Sequence, residues 1–191
     1  MGLQLQTKVG PCMKLLISLL SLSLGLAAHA GQIRNQETVI SGAVTRAGTT
    51  RQKEYNNETL TALCEQGYTL AIYLYSGATP RTVACSGGRS ISYLSITRFQ
   101  AIDPVVSKIK DAVNAGGKAI FHCWNGTHAT GFVAAAVLNR LCGFSGAQAA
   151  RYFENGVPPG SIPQSSINKL SGILKNQPTG SHVMSGCPSA R

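Results

Sequence analysis

One run of eleven residues constrains this chain more than any other: Phe121-His122-Cys123-Trp124-Asn125-Gly126-Thr127-His128-Ala129-Thr130-Gly131. Lys118 to Phe121 read as a short apolar strand before it, and Thr130 to Leu141 as an apolar helix after it. A strand that turns directly into a helix places Cys123 where backbone N–H groups and the positive end of the helix dipole converge. Both favour a thiolate over a thiol, and both favour an anion held in the same turn. Such a turn requires a sheet with a helix packed on it.

The rest of the pattern agrees. Gln32 to Ile40 is polar and reads as a lead-in segment, and Val39-Ile40 with Ala43-Val44 makes a short strand. Asn57 to Gln66 carries Leu60, Leu63 and Cys64 at helical spacing, capped by Asn57 and stopped by Gly67. Thr69 to Tyr75 and Ile91 to Ile96 are β-rich runs bounded by Gly, Pro and Ser. Asp103-Pro104 opens a helix with Val105, Val106, Ile109 and Val113 on one face, closed by Gly116-Gly117. Further helices are expected from Ser145 and over Gln164 to Leu174, with Pro158, Pro159 and Pro163 between them. Alternating strands and helices predict an α/β domain with a mostly parallel central sheet flanked by helices.

Residues 1–30 stand apart. Lys14 precedes the apolar run Leu15 to Ala28, and Ala28-His29-Ala30 is a small-x-small cleavage site, the build of a secretory signal peptide. Met13 is an alternative start, and Cys12 is misplaced for a lipoprotein. The expected product is residues 31–191, a single domain with a short Gly/Pro/Ser tail, exported to the periplasm or secreted, with no membrane span once the signal is removed. Without Lys8 and Lys14 the 17 basic residues fall to 15 against 7 acidic ones, a formal charge of +8. That favours anionic partners, but no K/R-rich run or aromatic-interleaved basic stretch marks a nucleic-acid binder.

Five cysteines follow residue 30: Cys64, Cys85, Cys123, Cys142 and Cys187. In an oxidising compartment an odd number implies pairs and one free thiol. With Cys123 free the others allow three pairings, of which Cys64–Cys85 with Cys142–Cys187 is favoured. No C-x-x-C or His/Cys spacing suits zinc, and neither a metal nor a cofactor is expected.

His-Cys at the end of a central strand, then Gly126, Thr130 and Gly131 at their spacings, resembles the loop of the dual-specificity and tyrosine phosphatases, whose signature is His-Cys, five residues, Arg, then Ser or Thr. The likeness extends to Thr45-Arg46-Ala47-Gly48, the helix ending at Gly67, and the strands to Leu74 and Ile96. It implies Cys123 as nucleophile on phosphorus, His122 buttressing the loop, and Thr130 hydrogen-bonded to the thiolate. The backbone of Trp124, Asn125, Gly126, Thr127, His128 and Ala129 would cradle the phosphate oxygens.

Two positions depart from that pattern. Ala129 stands where the resemblance implies an arginine that grips phosphate and offsets transition-state charge. His128, Arg46, Arg89 and Arg98 are the candidates to replace it. The general acid would come from the loop Thr97 to Asp103, whose only carboxylate, Asp103, also fits a helix cap. The sequence therefore implies a cysteine-dependent phosphatase-like protein acting on a phosphorylated small molecule, lipid or protein, or an inactive oxyanion-binding relative. Sulfur-transfer or acyl-transfer thiol chemistry is a third reading, with His122, His128 or His182 as base.

Overall fold

In the computed structural model, residues 32–50, 54–96, 99–181 and 183–189 are described; the signal-peptide reading of 1–30, Arg98 and His182 fall outside them. Six strands form one mixed sheet: β1 (Ile33–Ile40), β2 (Val44–Thr49), β3 (Tyr68–Tyr73), β4 (Arg81–Ala84), β5 (Ser90–Ser95) and β6 (Lys118–His122), in the order β1-β2-β6-β3-β5-β4. β2, β6, β3 and β5 run parallel, and β1 and β4 pair antiparallel at the two edges. The helices are α1 (Asn57–Glu65), α2 (Ile102–Asn114), α3 (His128–Cys142), α4 (Gly146–Gly156) and α5 (Gln164–Lys175).

The central strands are buried on both faces, as parallel strands covered by helices must be. α1 closes one face over Leu60, Leu63, Ala71, Ile91 and Ile120. On the other face Val44, Ile72, Phe121, Val105 and Ile109 pack around α3. α3 is buried nearly all round, from Ala129 to Cys142, which its unbroken apolar sequence requires. α4 begins with a capping box in which the Ser145 side chain takes the Gln148 N–H and the Gln148 side chain returns to the Ser145 backbone.

Two strands escape the sequence pattern. The polar lead-in is in fact the strand β1: four of its eight residues are exposed, and antiparallel pairing with β2 supplies its backbone bonds. β4 is a four-residue edge strand, too short to show a period. Helix ends also move. Asn56 rather than Asn57 caps α1, accepting from the Thr59 N–H at 2.8 Å, and α3 starts at His128, two residues before the expected Thr130.

Cys64–Cys85 ties α1 to the segment after β4, and Cys142–Cys187 ties the end of α3 to the tail; among the described residues Cys123 is the free thiol. The tail lies as a strap, with the Met184 N–H on Leu141 O and the Ser41 N–H on Gly186 O. Among the described residues no helix is long and apolar enough to cross a membrane. The bridges close spans of 21 and 45 residues. Loop-closure entropy then assigns about 3 and about 4 kcal/mol respectively. Cys142→Ser/Cys187→Ser is expected to lower stability more than Cys64→Ser/Cys85→Ser, which urea unfolding of the two double variants measures.

Candidate active site

β6 lies between β2 and β3, so its carboxyl end opens at the middle of the sheet, where ligands of α/β folds gather. There the chain leaves the strand at Cys123, whose N–H bonds Ala47 O at 3.3 Å, and enters α3 five residues later. The turn rests on β2 through two glycines. A Cβ on Gly48 would stand 2.6 Å from the Asn125 carbonyl carbon, and one on Gly126 would stand 2.7 Å from the Gly48 nitrogen. Gly126 also has φ +77°, a conformation that disfavours any side chain.

The turn's carbonyls are held on its outer side. Trp124 O accepts from the Thr49 N–H at 3.0 Å and from Arg34 Nη2 at 3.1 Å, and Asn125 O accepts from Asn35 Nδ2 at 2.7 Å. Arg34 also donates to Asn125 Oδ1. In a trans peptide the N–H points opposite to the carbonyl it follows. Pinning these two carbonyls outward therefore turns the Asn125 and Gly126 N–H groups inward, and the Gly126 N–H lies 3.2 Å from Cys123 Sγ. Thr130, fully buried in the first turn of α3, brings Oγ1 to 3.7 Å from the same sulfur. Cys123, Thr130 and the loop backbone are thus assembled together; neither Arg34 nor Asn35 was legible, because nothing in a polar strand marks which residues will reach across to a loop ninety positions away.

His122 lies beneath the loop. Its ring stacks on Tyr55 at 3.7 Å, and Nε2 meets Tyr93 Oη at 2.8 Å. Burial drives its pKa down to about 3, against a smaller opposing contribution from the Cys123 backbone, so it is neutral. His128 Nε2 is enclosed without a hydrogen-bond partner among the described residues, and burial lowers that ring's pKa as well. His128 therefore brings no charge near neutrality. Ala129 is buried in the apolar core. Arg46 pairs with Glu37 and lies over the Tyr152 ring, while its buried Nη1 stands against Gly131 with no hydrogen-bond partner among the described residues. Arg89 pairs with Glu65 on α1.

Asp103 is not brought to the cysteine. It neither caps α2, whose N-cap is Ala101, nor faces the loop: its carboxylate pairs with Arg140 Nη2 at 3.0 Å. Arg140 stands twelve residues beyond His128 on α3, about 18 Å along the axis at 1.5 Å per residue. Beside the loop Tyr73, Tyr75, Ser76 and Trp124 line a cavity of about 390 Å³. Trp124 Nε1 donates to Tyr73 Oη at 2.7 Å, which fixes the indole plane. Burial raises the phenol of Tyr75 to about 12 and that of Tyr73 above its ordinary value.

His122 makes stability depend on pH. Its folded pKa lies below the unfolded value, so the unfolded state binds the extra proton and stability falls on acidification between about 6.5 and 3. From pH 7 to pH 5 the expected loss is about 2 kcal/mol. Urea unfolding at the two pH values measures it, and His122→Asn should flatten that part of the profile.

No family model matches this sequence, and no curated protein does. Solved structures match its fold. A mouse protein of the dual specificity phosphatase type, in complex with zinc tungstate, is 20% identical, covers 81% of this chain and 95% of its own, and superposes with a TM-score of 0.50. Tk-PTP in its active form is 16% identical over 74% of this chain and 97% of its own, also at 0.50. TpbA of P. aeruginosa is 14% identical over 78% and 91%, again at 0.50. The chain has the fold of the dual-specificity and tyrosine phosphatases.

Proposed function

We propose that this is an exported protein that holds phosphate-like oxyanions in the loop 123–130, and that it hydrolyses phosphate monoesters slowly through Cys123. The observation that carries this reading is the inward Gly126 N–H at 3.2 Å from a buried thiol, with the loop's carbonyls pinned outward. Export is supported by the apolar run before Ala28-His29-Ala30 and by the two disulfides. The tungstate in the mouse structure is an oxyanion held by a protein of the same fold.

Cys123 Sγ attacks phosphorus and the ester oxygen leaves with its electron pair, giving a cysteinyl-phosphate. Water then attacks phosphorus, releasing phosphate and returning the thiolate. His122 and Thr130 hold the sulfur in place. Without an arginine at 129, two charge-assisted hydrogen bonds of about 1.5–3 kcal/mol each are missing, or roughly 10²–10⁴ in rate. With Asp103 paired to Arg140, leaving-group protonation is missing too, which is typically worth about 10²–10⁴. Aryl phosphates, whose leaving groups need no proton, suffer least. These two losses also favour a second reading, an oxyanion-binding protein with no turnover.

A fluorogenic aryl phosphate separates the two. Slow turnover that vanishes in Cys123→Ser is expected. Ala129→Arg should raise kcat/KM by about a hundredfold or more, since it returns a two-pronged donor to the loop. Oxyanion binding without turnover in the parent protein would establish the second reading.

A further inference from the structure

Resting on the oxyanion-binding reading, we propose that the cavity beside the loop is a cage for a quaternary ammonium, so that the ligand this site selects is a phosphocholine group, its phosphate in the loop and its trimethylammonium against Trp124 and Tyr75. The cavity is aromatic and uncharged: Tyr73, Tyr75, Ser76 and Trp124 line about 390 Å³. Trp124 is 52% exposed, one of two large apolar side chains left open among the described residues. Its indole is nevertheless fixed in plane, because Nε1 donates to Tyr73 Oη at 2.7 Å. Tyr75 is braced by Phe99, edge-on at 6.1 Å, and Phe99 packs edge-on against the core residue Phe132 at 5.8 Å. Rings held in this way lose little rotamer freedom when a ligand arrives.

The angle between the walls decides what they hold. The indole and the Tyr75 ring lie 5.9 Å apart and tilted by 59°, and Tyr73 meets Tyr75 edge-on at 77°. A flat aromatic ring lies parallel to only one such face. A trimethylammonium group is round and turns a methyl to each. Its positive charge is attracted to the negative faces of the rings, most strongly to indole. A primary ammonium is served less well: it is compact and strongly hydrated, and it needs acceptors for three N–H donors. The lining offers hydroxyls but no carboxylate.

The two halves of the ligand fall on adjoining residues. Trp124 follows Cys123 directly, and Tyr73 pairs with His122 in the sheet. The short carbon tether of choline suits subsites joined so closely. Arg34, which reaches this stretch at Trp124 O and Asn125 Oδ1, does not line the cavity.

Trp124 is the chain's single tryptophan, so its fluorescence reports the cage directly. Four phosphate monoesters are titrated into the protein with both disulfides intact: phosphocholine, its carbon isostere with tert-butyl in place of trimethylammonium, phosphoethanolamine and phenyl phosphate. Phosphocholine is expected to bind about tenfold tighter than each of the other three. The isostere has the same shape without the positive charge, so its gap from phosphocholine measures the attraction of cation to ring. Tyr75→Leu removes one wall and none of the loop. In that variant phosphocholine and its isostere should bind alike, with inorganic phosphate held as before; a gap that persists there overturns the cage. If the variant fails to fold, the gap in the parent protein still decides. The same group also heads a phospholipid. Binding to phosphatidylcholine vesicles but not to phosphatidylethanolamine ones supports the inference with the lipid as source. Tight binding of phosphocholine without vesicle binding supports it with the free ester as source. Any of the other three esters binding as tightly as phosphocholine overturns this inference and leaves the oxyanion reading standing. Binding of none of the four, nor of inorganic phosphate, overturns both.

Discussion

The site depends on two glycine backbones pressed together. Gly48 at the end of β2 and Gly126 in the cysteine loop approach so closely that a methyl group on either would overlap the other's main chain. That contact is what allows the loop to settle onto the sheet, and it brings Trp124 O within 3.0 Å of the Thr49 N–H. With the carbonyls fastened on that side, planar trans peptides leave the N–H groups no direction but inward. The polarity around the sulfur is therefore a consequence of backbone packing between β2 and the cysteine loop, and the side chains that brace it, Arg34 and Asn35, do so from outside.

This explains how a loop of this kind tolerates an alanine where charge is expected. Donors provided by peptide groups need no arginine to be held in place, since Arg34 and the β2 backbone already carry the outer hydrogen bonds. Losing the guanidinium removes strength and charge but not shape. The histidines do not compensate. His122 spends its ring on Tyr55 and Tyr93, and His128 is discharged by burial. What faces the sulfur is then the Gly126 N–H and the Thr130 hydroxyl.

How far the sequence carries is decided by whether a feature is local. The strand–turn–helix around Cys123, the apolar α3 and the helix start at Ser145 depend on neighbours in sequence, and all were readable. The disulfide pairing was narrowed by counting cysteines, because Cys123 had a better use. β1 and β4 were not readable: edge strands are half in solvent, so polar residues such as Asn35, Gln36 and Glu37 sit in them without penalty and erase the alternation. Asp103 misled for a related reason. An aspartate before a proline at a helix start fits a cap and fits a loop acid, and its partner, Arg140, lies thirty-seven positions away. Tyr73 and Tyr75, at a spacing of two, were in view as strand residues, but only the position of Trp124 made them the walls of a cavity.

The same arrangement bears on how open the Cys123 thiol is to oxidation. Oxidation to a disulfide needs a second cysteine within reach, and among the described residues the four others are already joined in pairs. Cys142–Cys187 lies at the opposite end of α3, fourteen residues beyond His128 and so about 21 Å along the axis. Cys64–Cys85 fastens α1 to the β4 edge, which β3 and β5 separate from β6 in the sheet order. Small-molecule oxidants need access to the sulfur instead, and Cys123 is only 2% exposed. Covering the sulfur with the Gly126 peptide and Thr130 thus leaves the thiol little surface at which to be oxidised.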